Sequence, residues 1–272
     1  MPVSLDEIVA ATRRRVSETK PATDLRQLDR QAGSHVPRGF RRSLESGNGS
    51  GMAVIAELKR ASPSRGLIRS DFDPALLARE LESAGAVALS VLTDEEFFQG
   101  SLENLRRASA ATKLPCLRKD FIIDEFQLLE ARANGADAVL LIVAALPTSE
   151  LTTLARRAYE YDLDILCEVH DEEELQRAVD AGCTLIGVNN RNLRTFQVDL
   201  ETAVRLADLI PKNAFTVAES GIHSGADMAR LRAAGYRAFL IGESLMKAKS
   251  PGAALKTLLA EALRESKAVA RT

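Results

Sequence analysis

The strongest constraint on the fold of this chain is a repeat of short apolar runs that alternate with helix-like segments from residue 53 onward. The length of the runs and their lack of polar alternation predict buried parallel strands, each followed by a helix. Eight such units in about 220 residues favour closure into a (β/α)8 TIM barrel over an open doubly wound sheet. The predicted strands are Ala53–Leu58, Ala86–Leu92, Pro115–Leu117, Ala138–Val143, Asp164–Val169, Leu185–Val188, Phe215–Ala218 and Ala238–Ile241.

Residues 1–51 precede the repeat and are predicted to form an N-terminal extension. Ser4 and Glu7 have the spacing of a capping box, so a helix is expected to begin there. The charged stretch that follows is expected to be exposed, and Phe40 and Leu44 stand out as isolated apolar anchors. The extension is either a cover over the barrel or a loose arm. We therefore predict that the whole chain is one α/β barrel domain, with a helical extension that acts as a cover.

Charge and composition limit the partners of the protein. The formal net charge is -2, and no basic run suggests binding to nucleic acid or to an anionic membrane. No apolar stretch is long enough to cross a bilayer, and the N-terminus lacks a signal-peptide pattern, so a cytoplasmic protein is predicted. The three cysteines form neither a CxxC pair nor an even framework and are expected to be reduced packing residues. No His, Cys or Asp cluster has metal spacing, so no metal site is predicted.

Charged side chains follow several of the predicted strands, where the active sites of (β/α)8 barrels lie. With a period of two, Glu57 and Lys59 share a face with Ile55, and the later candidates stand two residues after apolar partners that should point into the barrel. A satisfied ion pair is the structural alternative for each of them. Arg118 and Asp120 have the opposite parity and should face helices or loops. The candidates for an acid–base site are Glu57, Lys59, Lys119, Glu168, Asn189 and Glu219.

Small-residue turns after the last two strands suggest a phosphate site. Ser220-Gly221 and Gly242-Glu243-Ser244 should leave backbone N–H groups open, as in the phosphate sites of many such barrels. Ser62, after the first strand, is close enough around the rim to add a hydroxyl. Glycine turns also arise for steric reasons alone. Together with the acid–base ring, these turns predict a small phosphorylated substrate.

Several long motifs occur in order between Val54 and about Met246. They are residues 55–64 (IAELKRASPS), 117–122 (LRKDFI), 137–142 (DAVLLI), 187–193 (GVNNRNL) and 218–222 (AESGI). On these motifs rests a resemblance to the indole-3-glycerol phosphate synthase family of tryptophan biosynthesis. It implies a lyase that converts 1-(2-carboxyphenylamino)-1-deoxyribulose 5-phosphate to indole-3-glycerol phosphate, with loss of carbon dioxide and water and without a metal or organic cofactor.

The resemblance also implies roles for individual residues. Lys119 is expected to be the acid of ring closure, and Glu168 the acid or base of dehydration. Glu57 should position or relay a proton to the departing hydroxyl, and Lys59 should neutralise the substrate carboxylate or take part in dehydration. Asn189 and Glu219 support the polar network. The implied apolar wall is Phe98, Phe121, Leu140 and Leu193, the implied phosphate shell is Ser62, Ser220, Gly221, Gly242 and Ser244, and Arg191 is a further implied substrate contact.

Three other functions remain open on the sequence. The first is another phosphate-binding barrel enzyme, such as phosphoribosylanthranilate isomerase, although its proton shuttle would not ordinarily use this set of lysines. The second is a Schiff-base aldolase, because two lysines lie in one barrel. The third is a non-catalytic barrel that only binds a phosphorylated ligand, which would not need balanced acids and bases. The protein is expected to be a monomer or a weak homo-oligomer.

Overall fold

A computed structural model describes residues 3–47, 52–193 and 195–269 of the chain. Eight parallel strands form a closed barrel in which each strand pairs with its sequence neighbours and β1 also pairs with β8. This confirms the predicted (β/α)8 fold. The barrel strands are β1 (Ala53–Leu58), β2 (Ala88–Leu92), β3 (Cys116–Lys119), β4 (Ala138–Ile142), β5 (Asp164–Val169), β6 (Leu185–Asn189), β7 (Phe215–Glu219) and β8 (Ala238–Ile241).

Helices surround the barrel and form the extension. Before four of the eight strands the chain leaves its helix through a glycine with positive φ, as at Gly85 (φ 101°) and Gly235 (φ 109°), where a side chain would be strained. The helices are α1 (Leu5–Ala22), α2 (Leu25–Ser34), α3 (Phe40–Gly47), α4 (Pro74–Ser83), α5 (Leu102–Ala111), α6 (Glu125–Ala133), α7 (Thr148–Glu160), α8 (Glu172–Asp180), α9 (Glu201–Ala207), α10 (Gly225–Ala233), α11 (Glu243–Lys247) and α12 (Pro251–Val269).

Several predicted strand ends differ from the observed ones by one or two residues. The run assigned to Pro115–Leu117 is the strand Cys116–Lys119, and the strands predicted to stop at Val188 and Ala218 continue to Asn189 and Glu219. Each prediction ended the strand at its last apolar residue. In the structure, the hydrogen-bonded pairing of the strands continues through the polar residue that follows. Lys119, Asn189 and Glu219 therefore lie on the sheet rather than on loops.

The extension contacts both ends of the barrel. Ser4 caps α1 through the predicted capping box, and Ile8 packs into the cluster that fills the barrel interior. The charged stretch of α1 is not fully exposed as predicted, because Thr12 and Val16 are buried. Arg15 of α1 pairs with Asp120, just beyond the carboxyl end of β3. Thus α1 lies over the mouth of the barrel.

The other two helices of the extension lead away from the mouth. Helix α2 packs along α6 on the outside of the barrel. Helix α3 lies under the amino-terminal ends of the strands, where Phe40 and Leu44 are fully buried in the interior cluster. Both residues are thus confirmed as anchors, and the extension closes the floor of the barrel as well as covering its mouth. The predicted boundary at Gly51 lies outside the described residues.

Candidate active site

Lys119 lies at the centre of a buried ion cluster at the carboxyl end of the barrel. Its Nζ is 2.7 Å from Oε2 of Glu168 and 2.8 Å from Oε2 of Glu219. Burial alone would lower the pKa of the ammonium, but the two carboxylates outweigh it and raise the pKa of Lys119 well above its usual range. Lys119 is therefore protonated in the free site. The residue two positions before each of these three charges, namely Leu117, Leu166 or Val217, points into the barrel, which confirms the predicted parity.

Glu168 is surrounded by donors on both carboxylate oxygens. Besides the contact of Oε2 with Lys119, Oε1 accepts a hydrogen bond from Nδ2 of Asn189 at 3.2 Å and lies 3.4 Å from Nε2 of His170. Burial raises the pKa of the carboxyl, but Lys119 and His170 outweigh it and hold the pKa of Glu168 well below its usual range. Glu168 is thus an ionised carboxylate in the free site.

His170 makes a local contact with α8 and also reaches the site. Its Nδ1 is 2.9 Å from Oε2 of Glu174, at the start of α8. Burial lowers the pKa of the imidazole, but Glu168 and Glu174 reverse this effect and raise it to about 10. The imidazolium form is therefore held between two carboxylates. His170 is two residues after Glu168 and so shares its parity, a signal of this second contact that the sequence analysis did not use.

Glu57 and Lys59 form the predicted pair at the end of β1. Nζ of Lys59 is 2.5 Å from Oε2 of Glu57, and only 4% of the surface of Glu57 is exposed. The Glu57 side chain lies against Gly242, where a Cβ atom would come within 2.1 Å of Oε2. Gly242 is thus required for the position of Glu57, a steric role that the sequence did not indicate. Its predicted role as a phosphate donor stays a prediction.

Arg118 and Asp120 have the outward orientation predicted from their parity. Arg118 is 1% exposed and binds Asp120, the carbonyl of Gln127 and the carboxylate of Glu130 on α6. Asp120 also accepts a hydrogen bond from Thr93. The pair belongs to the packing between β3 and its helix, beneath the contact with α1.

One cavity at the mouth of the barrel is lined by every predicted site residue. Rings of Phe98 and Phe121 lie 6.2 Å apart along its wall, and the side chains of the acid–base ring form its base. This placement shows that the candidates lie together, whereas their individual roles stay predictions. The predicted residues that line the cavity are Glu57, Lys59, Ser62, Phe98, Lys119, Phe121, Leu140, Glu168, Asn189, Arg191, Leu193, Glu219, Ser220, Gly221, Gly242 and Ser244.

The cavity has further lining residues that the sequence analysis missed. Leu5 and Ile8 of α1 reach into it from above, Phe196 lines it from the loop after β6, and Glu243 from the start of α11. The apolar spacing after the Ser4 cap could have pointed to the first two. Ile241, two residues before Glu243, packs on the outside of the barrel, so strand alternation did not place Glu243 in the cavity. It binds Arg65, Arg191 and Lys247.

The candidate phosphate turns have open backbone geometry. Ser220 and Gly221 line the cavity and have consecutive positive φ angles of 64° and 78°. Ser62 lies in a short antiparallel hairpin in which residues 61–62 pair with residues 66–67. Its buried hydroxyl has no hydrogen-bond partner among the described residues. These groups are suited to an anionic ligand.

Residues 3–47, 52–193 and 195–269 contain no group of three or more His, Cys, Asp or Glu side chains placed to hold a metal ion. The three cysteines are buried and free, as predicted. A search of the described helices found none that could span a membrane.

A closed barrel with a buried lysine–carboxylate cluster at the carboxyl ends of its strands defines a (β/α)8 enzyme of the acid–base type. Among solved structures, the fold is similar to 3-hexulose-6-phosphate synthase (16% identity, TM-score 0.62, covering 77% of this chain and 99% of that one). It is also similar to thiamine phosphate pyrophosphorylase from Pyrococcus furiosus (17% identity, TM-score 0.59, covering 79% and 98%). Likeness at this level of identity shows the fold alone.

Sequence comparison identifies the family. The family model described as indole-3-glycerol phosphate synthase matches residues 5–258. The indole-3-glycerol phosphate synthase of Koribacter versatilis (strain Ellin345) is 58% identical over 95% of this chain and 100% of its own length. That of Burkholderia vietnamiensis (strain G4 / LMG 22486) is 48% identical over 92% and 97%. The chain belongs to the indole-3-glycerol phosphate synthase family, which favours the predicted synthase over the isomerase and binding-protein alternatives.

Proposed function

We propose that this chain catalyses the reaction for which its family is named, the conversion of 1-(2-carboxyphenylamino)-1-deoxyribulose 5-phosphate to indole-3-glycerol phosphate. The observation that carries the proposal is the position of Lys119, which is held between two carboxylates at the base of a cavity with aromatic walls. Ring closure needs an acid at the ketone oxygen, a base, and an apolar surface for the aromatic ring. All three lie in this cavity.

Lys119 acts as the acid of ring closure in this proposal. As the aromatic ring attacks the ketone, negative charge builds on the ketone oxygen, and an ammonium beside that oxygen stabilises the charge and supplies a proton. In the free site the carboxylates raise the pKa of Lys119. A substrate that enters between Lys119 and one of its carboxylates removes part of that stabilisation, and so makes the ammonium a better acid.

The later steps use the remaining charges. Loss of carbon dioxide restores the aromatic ring, and Lys59 is the cation that offsets the substrate carboxylate until then. Dehydration requires removal of one proton from the new ring and delivery of another to the leaving hydroxyl. Glu168, an ionised carboxylate, is suited to the first task, and Glu57 to relaying the second. Asn189 orients Glu168 through its hydrogen bond.

The phosphate and the aromatic ring are held by different parts of the cavity. The backbone turns at Ser220-Gly221 and Gly242, with the hydroxyls of Ser62 and Ser244, support phosphate binding at one side. Phe98, Phe121, Leu140 and Leu193 support binding of the anthranilate ring at the other, and Arg191 adds a cation between them. We further propose that the enzyme works in the cytoplasm on this small molecule, without a cofactor, as a monomer or a weak homo-oligomer.

The test is a fluorescence assay for indole-3-glycerol phosphate with the purified chain and the carboxyphenylamino substrate. Product formation that is abolished by Lys119→Met is the expected result. A folded wild-type chain that yields no product, and instead isomerises phosphoribosylanthranilate or only binds phosphorylated ligands, would remove the proposal. Borohydride treatment in the presence of substrate should trap no adduct, since a trapped adduct would indicate Schiff-base chemistry.

A further inference from the structure

The two carboxylates that bind Lys119 have different surroundings. Both oxygens of Glu168 have a side-chain partner, whereas Glu219 contacts Lys119 through Oε2 alone. No donor in the described part of the chain reaches Oε1 of Glu219, although the residue is only 1% exposed. An ionised carboxylate with an unpaired buried oxygen is costly, whereas a neutral carboxyl is much less so. Glu219 should therefore hold a proton more readily than Glu168.

Gly187 is the reason that Oε1 lies where it does. Gly187 is on β6, beside β7, and is two residues before Asn189, whose strand partner is Glu219. The Glu219 side chain reaches down the barrel and lies over Gly187, where a Cβ atom would come within 2.2 Å of Oε1 and 3.2 Å of Cδ1 of Leu166. Glycine inside a strand weakens the strand and is typical of a place where another group approaches closely. Here that group is a carboxyl.

The charges around Glu219 come from three strands. Lys119 on β3 favours its ionised form, whereas Glu168 on β5 and Glu57 on β1 oppose it. Glu57 is itself paired with Lys59, and Glu168 with His170. Burial is the largest effect, and with the two carboxylates it raises the pKa of Glu219 to about 7 in spite of Lys119. Groups whose environments separate their pKa values in this way commonly divide acid and base roles.

We propose that Gly187 is a positioning residue that lets Glu219 hold a proton in the free site near neutral pH, by leaving room for Oε1 in the dry interior of the barrel, while Glu168 stays ionised. Glu219 then stores a proton next to Lys119. Its Oε2 is 2.8 Å from the ammonium, so this proton can replace the one that Lys119 gives up.

The use of that proton rests on the proposed function. In that reaction the ketone oxygen gains two protons and leaves as water, while one proton is removed as the double bond of the new ring forms. The substrate carboxylate leaves as neutral carbon dioxide, so charge balances only if each turnover takes up one proton from the enzyme or solvent. A protonated Glu219 beside the acid of ring closure supplies that proton within the covered cavity.

The test is an infrared pH titration of the full chain without substrate, so its outcome does not depend on which reaction the enzyme catalyses. Wild type should show the carbonyl band of a buried protonated carboxyl, with a midpoint near the raised pKa of about 7. Glu219→Gln should remove the band. In Gly187→Ala the added methyl group should push the carboxyl towards Lys119 and the wetter mouth, and lower the midpoint by about one pH unit or more.

A matched control is Gly187→Ala in the Glu219→Gln background, which should leave the remaining carboxyl titrations of that background unchanged. A wild-type band that survives Glu219→Gln, or a midpoint that is unchanged in folded Gly187→Ala, would overturn the proposal. If the alanine variant does not fold, Glu219→Asp replaces it, because its shorter side chain does not extend over Gly187. Its carboxyl should titrate near the ordinary range for aspartate, and a midpoint near 7 would contradict the role of Gly187.

Discussion

Arg38 and Asp137 join the N-terminal extension to the floor of the barrel. Nη2 and Nε of Arg38 donate to Oδ2 of Asp137 at 2.6 and 3.0 Å, and the backbone N–H of Arg38 donates to Oδ1 at 2.7 Å. The Asp137 side chain is fully buried and also accepts from the N–H of Cys116 on β3. One carboxylate thus fixes the position of the extension relative to two strands.

Arg38→Ala should therefore destabilise the whole domain. It leaves the buried charge of Asp137 without its main partner, so the free energy of unfolding should fall by about 3 kcal/mol. Urea unfolding followed by circular dichroism measures this. The matched control is Arg106→Ala, which removes an exposed pair with Glu103 and should change stability by less than about 0.5 kcal/mol. An equal loss of unfolding free energy in both variants would show that the Arg38–Asp137 contact contributes no more to stability than an exposed ion pair.

Two truncations should separate the roles of the mouth and the floor. Removal of residues 1–22 takes away α1 and its residues in the cavity, so it should impair turnover and substrate binding while the barrel stays folded. Removal of residues 1–51 also takes away the buried Phe40 and Leu44 and should unfold the domain. Steady-state kinetics and thermal unfolding distinguish the two. Full activity of the shorter truncation would make α1 a passive arm.

Lys119→Met should lower kcat by at least about a hundredfold, because it removes the acid but keeps much of the apolar stem. Binding of a reduced, unreactive substrate analogue should fall much less, since the phosphate and ring contacts remain. Lys119→Arg keeps the charge but is a poor acid, so it should be impaired as well. Near-normal turnover of the arginine variant would assign an electrostatic role to Lys119 and make Lys59 the better candidate for the acid.

His170→Gln should destabilise the protein in a pH-dependent way. The folded state raises the pKa of His170 to about 10, so its contribution is fully present below the unfolded value of about 6.5 and is lost as pH rises towards 10. We expect a loss of about 2 kcal/mol at pH 6 and a much smaller loss at pH 10. Urea unfolding at the two pH values measures the difference. A loss independent of pH would mean that packing, and not charge, accounts for the effect.

Gly242→Val should weaken binding of the phosphorylated product and also displace Glu57, because its Cβ would collide with that carboxylate. Ser244→Ala removes only a hydroxyl at the same turn and serves as the comparison. We expect the valine variant to lose kcat as well as affinity, and the alanine variant to lose mainly affinity. An unchanged product dissociation constant in folded Gly242→Val would count against a phosphate site at this turn.

Much of the fold and site follows from local pattern, because side chains in a strand alternate strictly. Ile55 inside the barrel implies Glu57 at its mouth, and Leu117 implies Lys119. The carboxylates that Lys119 binds lie 49 and 100 residues away in sequence. Their positions depend on the register and curvature of distant strands, which no local pattern contains. The packing of the Glu219 side chain over Gly187 is likewise a contact between two strands, so local pattern does not predict it. Helix α3 was missed because two separated apolar residues do not define a helical face.

The burial of α3 at the floor of the barrel also has a consequence for folding during translation. Phe40 and Leu44 leave the ribosome before any of the strands that they pack against, and β1 finds its partner β8 only after nearly the entire chain has been translated. This early apolar surface is thus among the last to be buried. A nascent chain in this state exposes both the floor helix and an unpaired edge of β1, and such surfaces are prone to aggregate. The risk of aggregation during synthesis should therefore fall only when the final strand emerges and closes the barrel.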